Sequence, residues 1–250
     1  MIPDTKKLLA KALDLGAFAA GVVSVEMMLQ TPSEKYVRKQ GLDNLDLGSV
    51  GPGQTKAPVW QFKAASLLIT ALAHPNDQPG LDDWQDGVKG GTRGNQELIT
   101  INQELKKWLL FYGIEAFDLH YYPEKGGVYL KDAAALAGLG VIGRNNLLLI
   151  PGLGASHRLR ALALKTEFTP TPGTDYNPCL GCPAPCLRAC PEKAFSHQDE
   201  KGDSAGGPKG GYNRDLCHLQ MQKNLQKPRG AAHAIRFCRN CELVCPEARK

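Results

Sequence analysis

The chain has 250 residues, 42% of them hydrophobic and 22% charged, the composition of an ordinary globular protein able to bury a sizeable core. No stretch approaches the ~18 consecutive apolar residues of a membrane span, so a protein without membrane segments is expected. The net charge of +5 is concentrated late: Lys201 to Lys250 holds ten Lys and Arg against four Asp and Glu, a basic stretch that either meets nucleic acid or solvates the surface and offsets thiolate-bound metal.

The chain opens on MIPDTKKLLAKALDL, whose lysines sit inside an amphipathic pattern. No signal-peptide apolar core and no twin-arginine pair is present there, which makes a cytoplasmic location the expectation. Thr5 to Leu15 reads as a helix ending at Gly16, and AFAAGVVSVE as a strand. Residues 31–62 are punctuated by Gly and Pro and predict a long loop or lid. SLLITALAHP is a buried strand stopped by Pro75, with His74 at its end, and GLDDWQDGVKGGTRG is a second loop.

A strong helix follows from about Asn95, with Leu98, Ile101, Leu105, Trp108, Leu109 and Tyr112 on one face and Gly113 as its stop. IEAFDLHYY is a strand, LKDAAALAGLG a helix with a glycine exit, and NLLLI and RLRALALKTEF are two further strands. The pattern predicts an α/β or α+β sandwich, with helices packed on a mostly antiparallel or mixed sheet. The Pro/Thr-rich TPTPGTDYNP then reads as a linker. It divides the chain near Phe168 into a large domain, 1–168, and a small one, 169–250. Within the small domain, QDEKGDSAGGPKGG is a flexible insertion.

All eight cysteines lie between Cys179 and Cys245. In a reducing compartment such a group points to metal rather than to disulfides. One run, CLGCPAPCLRACP, gives Cys179-x2-Cys182-x3-Cys186-x3-Cys190-Pro191; the other, CRNCELVCP, gives Cys238-x2-Cys241-x3-Cys245-Pro246; Cys217 stands between them. A Cys-x2-Cys turn lets neighbouring thiolates reach one iron–sulfur cubane, and a terminal Cys-Pro sends its sulfur to the other cluster. That crossover assigns Cys179, Cys182, Cys186 and Cys245 to one [4Fe–4S] cluster and Cys190, Cys217, Cys238 and Cys241 to a second. The Cys-Pro steps are expected to begin helices. The x3 interval before Cys186 is one residue longer than the common bacterial run and predicts a bulged loop. The alternative for the same residues is two structural zinc sites of four thiolates each.

AGLGVIGRNN carries Gly138, Gly140 and Gly143 at the G-x-G-x-x-G spacing of dinucleotide-binding proteins. That motif must follow a strand and open a helix. Here a helical segment precedes the glycines and an apolar strand follows, so the letters stand in the wrong structural order. What remains is a helix cap with a turn, or a loop whose bare backbone approaches a flat cofactor. DLHYYP places Asp118 and His120 in an arrangement like the D-x-H-x-x-G of corrinoid proteins, with Pro123 in place of the glycine. His218 and His233 lie near the cysteines in sequence, where hydrogen bonds could tune a cluster.

The order AGLGVIGRNNLLLIPGLGAS, a strand, then two cysteine runs ending in Cys-Pro with a lone cysteine between, resembles the epoxyqueuosine reductase family, cobalamin-dependent iron–sulfur relatives of the reductive dehalogenases. The resemblance covers about Val128 to Pro246 and does not extend to the family's C-terminal helical-repeat domain. It implies a nitroreductase-like α/β sandwich beside a ferredoxin-like two-cluster domain, and cobalamin, or FMN in a flavin-bearing relative, in the large domain. It also implies that Gly138, Gly140, Gly143, Arg144 and Asn145 line the corrinoid, with Ser156 and His157 at its edge. The family's catalytic Asp, about fourteen residues before the first glycine, falls on Glu124; Tyr121, Tyr122 and Tyr129 are candidate acids by analogy with the dehalogenases, Tyr121 foremost. The implied activity is an oxidoreductase acting on a small or nucleoside-like substrate, with tRNA among the candidates, and with reduced ferredoxin or flavodoxin as donor. An electron-delivery protein that reduces the corrinoid of a partner protein is the other activity compatible with these motifs.

Overall fold

The computed structural model describes residues 2–31, 33, 64–74, 77–82, 85, 87, 90–121, 127–195, 212–226 and 238–249. The expected lid over 31–62, apart from residues 31 and 33, and the insertion at 198–211 lie outside the described residues. By contact the chain forms two compact units, each made of several stretches. One comprises Met1–Ala73, Glu97–Leu139 and Arg158–Thr174; the other His74–Gln96, Gly140–His157 and Asp175–Lys250.

The first unit is built on a four-stranded sheet of β1 (Ala19–Ser24), β2 (Ser66–Ala73), β6 (His157–Leu164) and β3 (Ala116–Asp118), adjacent in that order. β1 runs antiparallel to β2 in the register Ala19↔Ala71 to Ser24↔Ser66, and β3 antiparallel to β6 from Ala116↔Leu164 to Asp118↔Leu162. Helix α1 (Thr5–Asp14) starts where the Asp4 carboxylate accepts the Lys7 N–H at 2.8 Å, and α2 (Val25–Leu29) where the Ser24 hydroxyl accepts that of Met27 at 3.1 Å. The long helix α3 (Arg93–Phe111) ends at Gly113, whose φ of +72° suits glycine.

The period of α3 puts Leu98, Ile101, Leu105 and Leu109 on one stripe. That stripe packs with Leu8 and Ala12 of α1 and with Val22, Leu68, Leu72, Leu162 and Leu164 of the sheet. Gly21, on the other side of β1, faces Ala137 and Leu139, so α4 (Leu130–Leu136) covers the opposite face. Helices on both faces of a sheet built from antiparallel strand pairs agree with the mixed α/β class read from periodicity. The buried Thr70 hydroxyl in β2 is 3.1 Å from the Asn102 amide oxygen of α3, which satisfies a polar pair inside this core.

Within the segment read as a linker, 169–174 belongs to the first unit and 175–178 to the second. Thr171 donates its backbone N–H to the Val22 carbonyl at 2.9 Å. Its hydroxyl accepts the Val22 N–H at 2.8 Å and lies 2.8 Å from the Ala137 carbonyl that ends α4.

In the second unit NLLLI shortens to β5 (Leu148–Leu149), which folds back antiparallel on β4 (Val141–Ile142) rather than joining the four-stranded sheet. The turn between them sets this: Gly143 and Leu147 close it with a backbone hydrogen bond of 2.8 Å, and Asn146 takes a left-handed φ of 56°. Leu149 and Ala155 pack with Cys245, Tyr176 and Cys179, so the hairpin forms a small core with the cysteine segments. Short helices α5 (Pro185–Arg188) and α7 (Asn240–Leu243) and the longer α6 (Arg214–Gln226) carry cysteines. Among the described residues no helix is long and apolar enough to cross a membrane.

Candidate functional site

All eight cysteines carry free thiols and lie in the second unit. Cys179 and Cys182 flank a tight turn in which the Cys182 N–H meets the Cys179 carbonyl at 3.3 Å and Gly181 takes φ +71°. The residue added by PAP is absorbed at Ala184, which adopts a left-handed φ of 50° just before Pro185 opens α5. That bend places Cys186 on the first turn of α5, buried.

Cys190-Pro191 opens a turn rather than the expected helix: Lys193 takes φ 51°, and the Ala194 N–H points at the Cys190 sulfur at 3.3 Å. Cys245-Pro246 opens one 3-10 turn, Pro246–Arg249. Cys217 rides on α6, whose start is capped by the Asn213 side chain accepting the N–H groups of Asp215 and Leu216. Cys241 lies on α7, beside the buried ion pair of Arg239 and Glu242.

Cys179, Cys182 and Cys186 from the first run and Cys245 from the second line one hollow, with Arg144, Asn145 and Glu247 at its wall. The other four act electrostatically on one another: Cys190 and Cys217 both bear on Cys238 and on Cys241. Cys186 also bears on Cys241, so the two sets are neighbours. Burial, reinforced by neighbouring thiols, pushes Cys186 up to about 11 and Cys241 up to about 12. Burial raises Cys238 and Cys245 as well. Thiols so placed keep their protons at neutral pH until a cation displaces them. Among the described residues, no three His, Cys, Asp or Glu side chains close on a point that would hold a single metal ion.

The glycines of AGLGVIGRNN are accounted for by the protein's own chain. Gly138 ends α4 at φ +72°, and a Cβ there would overlap the Pro172 carbonyl. A Cβ on Gly140 would overlap the Leu149 carbonyl, and one on Gly143 would come within 2.6 Å of the Leu149 side chain. No helix follows them, since β4 lies within the motif, so the dinucleotide arrangement is absent here.

Arg144 and Asn145 turn toward the cysteines. The Arg144 guanidinium donates to the Cys182 carbonyl at 3.2 Å, and the buried Asn145 amide to the Cys241 carbonyl at 3.4 Å. The buried His157 ring lies 3.0 Å from the Leu148 carbonyl through Nε2. The Ser156 hydroxyl is buried without a hydrogen-bond partner among the described residues, while its carbonyl accepts the His74 N–H at 2.8 Å.

Glu124, Tyr122 and His233 lie outside the described residues. Tyr121 is stacked under the Arg160 guanidinium, 5.6 Å from ring centre to cation. His120 is exposed beyond β3 and bridges Gly127, and His218 meets Gln222 one turn along α6. Sequence reasoning passed over Tyr176, whose hydroxyl donates to Glu247 at 2.6 Å and whose ring packs on the Leu149, Ala155 and Cys245 core. Its position three residues before Cys179 was the available signal.

No family model matches this sequence. An epoxyqueuosine reductase of Lactococcus garvieae (strain Lg2) is 28% identical over 196 residues, which covers 73% of this chain and 52% of that protein. The chain thus spans about half the length of this curated relative. In fold, it is similar to an epoxyqueuosine reductase solved with an epoxyqueuosine-modified tRNA-Tyr stem loop, with TM-score 0.65 and 20% identity over 98% of this chain and 65% of that one. A reductive dehalogenase whose structure suggested a mechanism for B12-dependent dehalogenation aligns with TM-score 0.58 and 15% identity over 96% of this chain and 34% of that one. The resemblance read from the motifs therefore holds in sequence and in fold.

Proposed function

We propose that this chain is an iron–sulfur oxidoreductase of the epoxyqueuosine reductase type, holding two [4Fe–4S] clusters and working with cobalamin to reduce a small or nucleoside-like substrate. One observation carries the reading: three thiols of one cysteine run and the last thiol of the other line a common hollow. Crossed ligation is how two-cluster ferredoxins are built, whereas a zinc site closes four ligands on one ion. When bound, the clusters supply one-electron relay. Around them the chain contributes the Ala194 N–H aimed at the Cys190 sulfur and two side chains of the β4–β5 turn fixed on cysteine carbonyls.

The corrinoid rests on kinship with the reductases and dehalogenases. Gly138 and Gly140 are filled by the chain's own backbone, and Arg144 and Asn145 are engaged at cysteine carbonyls. Of the residues assigned to the corrinoid, Ser156 retains a buried hydroxyl with capacity for a ligand. A nucleoside-like substrate, tRNA among its forms, is favoured by the relative solved with a modified stem loop.

The test is anaerobic reconstitution with iron, sulfide and hydroxocobalamin, followed by metal and sulfide counting, absorption and EPR. About eight irons with matching sulfide per chain are expected. Stoichiometric zinc without sulfide overturns the cluster reading, and retention of FMN with no corrinoid overturns the cobalamin reading.

A further inference from the structure

The turn between β4 and β5 places two consecutive side chains on two different cysteine-bearing segments. Arg144 reaches the carbonyl of Cys182, one of the four thiols around the hollow; Asn145 reaches the carbonyl of Cys241, in the other set. The turn is stiff. Asn146 donates to the Gly143 carbonyl at 2.9 Å, Gly143 to that of Leu147 at 2.8 Å, and the Asn145 side-chain oxygen accepts the Leu147 N–H at 3.2 Å. Leu149, just beyond, is locked into the core that contains Cys179 and Cys245. Asn145 is 3% exposed, too deep for a solvating role.

We propose that Arg144 and Asn145 are positioning residues for the two clusters: Arg144 raises the reduction potential of the cluster at Cys179, Cys182, Cys186 and Cys245, and Asn145 fixes helix α7, which carries Cys241 of the second. The inference rests on the two-cluster reading. Each cluster gains one electron and one unit of negative charge on reduction, with no bond made or broken. A guanidinium fixed beside the first thiol set favours the reduced state, because attraction to the added charge is weakly screened in a half-buried site. Its N–H also draws electron density from the Cys182 peptide, in the same direction. The Asn145 amide carries no net charge, so its effect is to hold geometry.

The experiment is a dithionite titration of the reconstituted chain, followed by EPR against redox mediators, in wild type, Arg144→Lys, Arg144→Gln and Asn145→Ala. Cys245→Ser identifies the signal of the first cluster. Arg144→Gln is expected to move that cluster to a more negative potential and leave the other unmoved, while Arg144→Lys, which keeps the charge, stays near wild type. Asn145→Ala is expected to broaden or shift the second signal alone. Unchanged potentials in Arg144→Gln overturn the proposal. So does loss of iron uptake in all three variants when circular dichroism shows them folded, since the turn would then serve assembly alone. A wild-type chain that takes up no iron and sulfide sinks the cluster reading itself, an outcome distinct from either.

Discussion

The α-carbon of Gly140 lies against the carbonyl oxygen of Leu149, close enough that a methyl group on Gly140 would overlap that oxygen. The contact joins the two arms of the β4–β5 hairpin, whose turn carries Arg144 and Asn145. Gly140→Ala should therefore open the hairpin, with an overpacking cost of about 1–3 kcal/mol. Gly173, with open space around it and no positive φ, is the control: Ala there is expected to be neutral or stabilising by about 0.4–1 kcal/mol. Chemical denaturation of both variants checks the contrast. Equal stability of the two would mean that the close approach at Gly140 relaxes without cost.

The Thr171 hydroxyl accepts the Val22 N–H and lies within hydrogen-bonding reach of the Ala137 carbonyl, so one oxygen links β1, the end of α4 and the 169–174 strap. Thr171→Val keeps the shape and removes both bonds. The N–H of the buried Val22 then loses its acceptor, a loss of about 1–3 kcal/mol. Thr171→Ser should recover most of the stability. A valine variant as stable as wild type in urea would show that the paired backbone bond alone holds the strap.

Much of the fold was legible because it depends on local patterns. The stripe of α3 fixes its buried face, Asp4 and Ser24 announce helix starts, and β1 and β2 read directly as apolar runs. NLLLI misled because a short buried run does not specify its partner; the turn at 143–147 folded it onto Val141–Ile142. The crossed assignment of the cysteines came from short intervals, where ligation geometry is encoded; Cys179, Cys182, Cys186 and Cys245 line one hollow. The roles of Arg144, Asn145 and Tyr176 were not legible. Each depends on a partner 38 to 96 residues away, and no local signal marks a contact made only after folding.

Asp132, on α4, is buried, and desolvation holds its carboxyl above the usual carboxylate range against the opposing pull of Ser33 and Lys131. The folded chain thus binds this proton more tightly than the unfolded chain. Its contribution to stability is fully present below the ordinary carboxylate value of about 4 and is lost as pH rises through the folded-state value. Asp132→Asn is neutral throughout and should be at least as stable as wild type at pH 7. The gap between the two should shrink on acidification toward pH 4. Urea melts of the metal-free chain at several pH values measure this; a variant less stable than wild type at pH 7 would show that the ionised carboxylate is the form the fold uses.

Tyr176 clamps the C-terminal turn over the first thiol set. Its hydroxyl donates to the Glu247 carboxylate at 2.6 Å, and the backbone at Glu247 and Ala248 rests on Gly154, where any Cβ would collide with it. Desolvation, then the bond to Glu247, keeps the phenol protonated well above the usual tyrosine range, so this donor persists at every working pH. Tyr176→Phe retains the ring that packs on Leu149, Ala155 and Cys245 and removes the bond to Glu247. Because the pair is half-exposed, solvent screening limits the loss in stability to about 1 kcal/mol. The local effect should be larger than the global one, since Pro246–Arg249 is a single 3-10 turn. In the metal-free chain, Cys245 should therefore react faster with a thiol reagent, while Cys186, held on α5, keeps its wild-type rate. Mass-resolved labelling of the two cysteines separates these outcomes. A parallel rise at both would point to general loosening of the cysteine segment, and no rise at either would mean that the packed ring, not the hydroxyl, holds the turn.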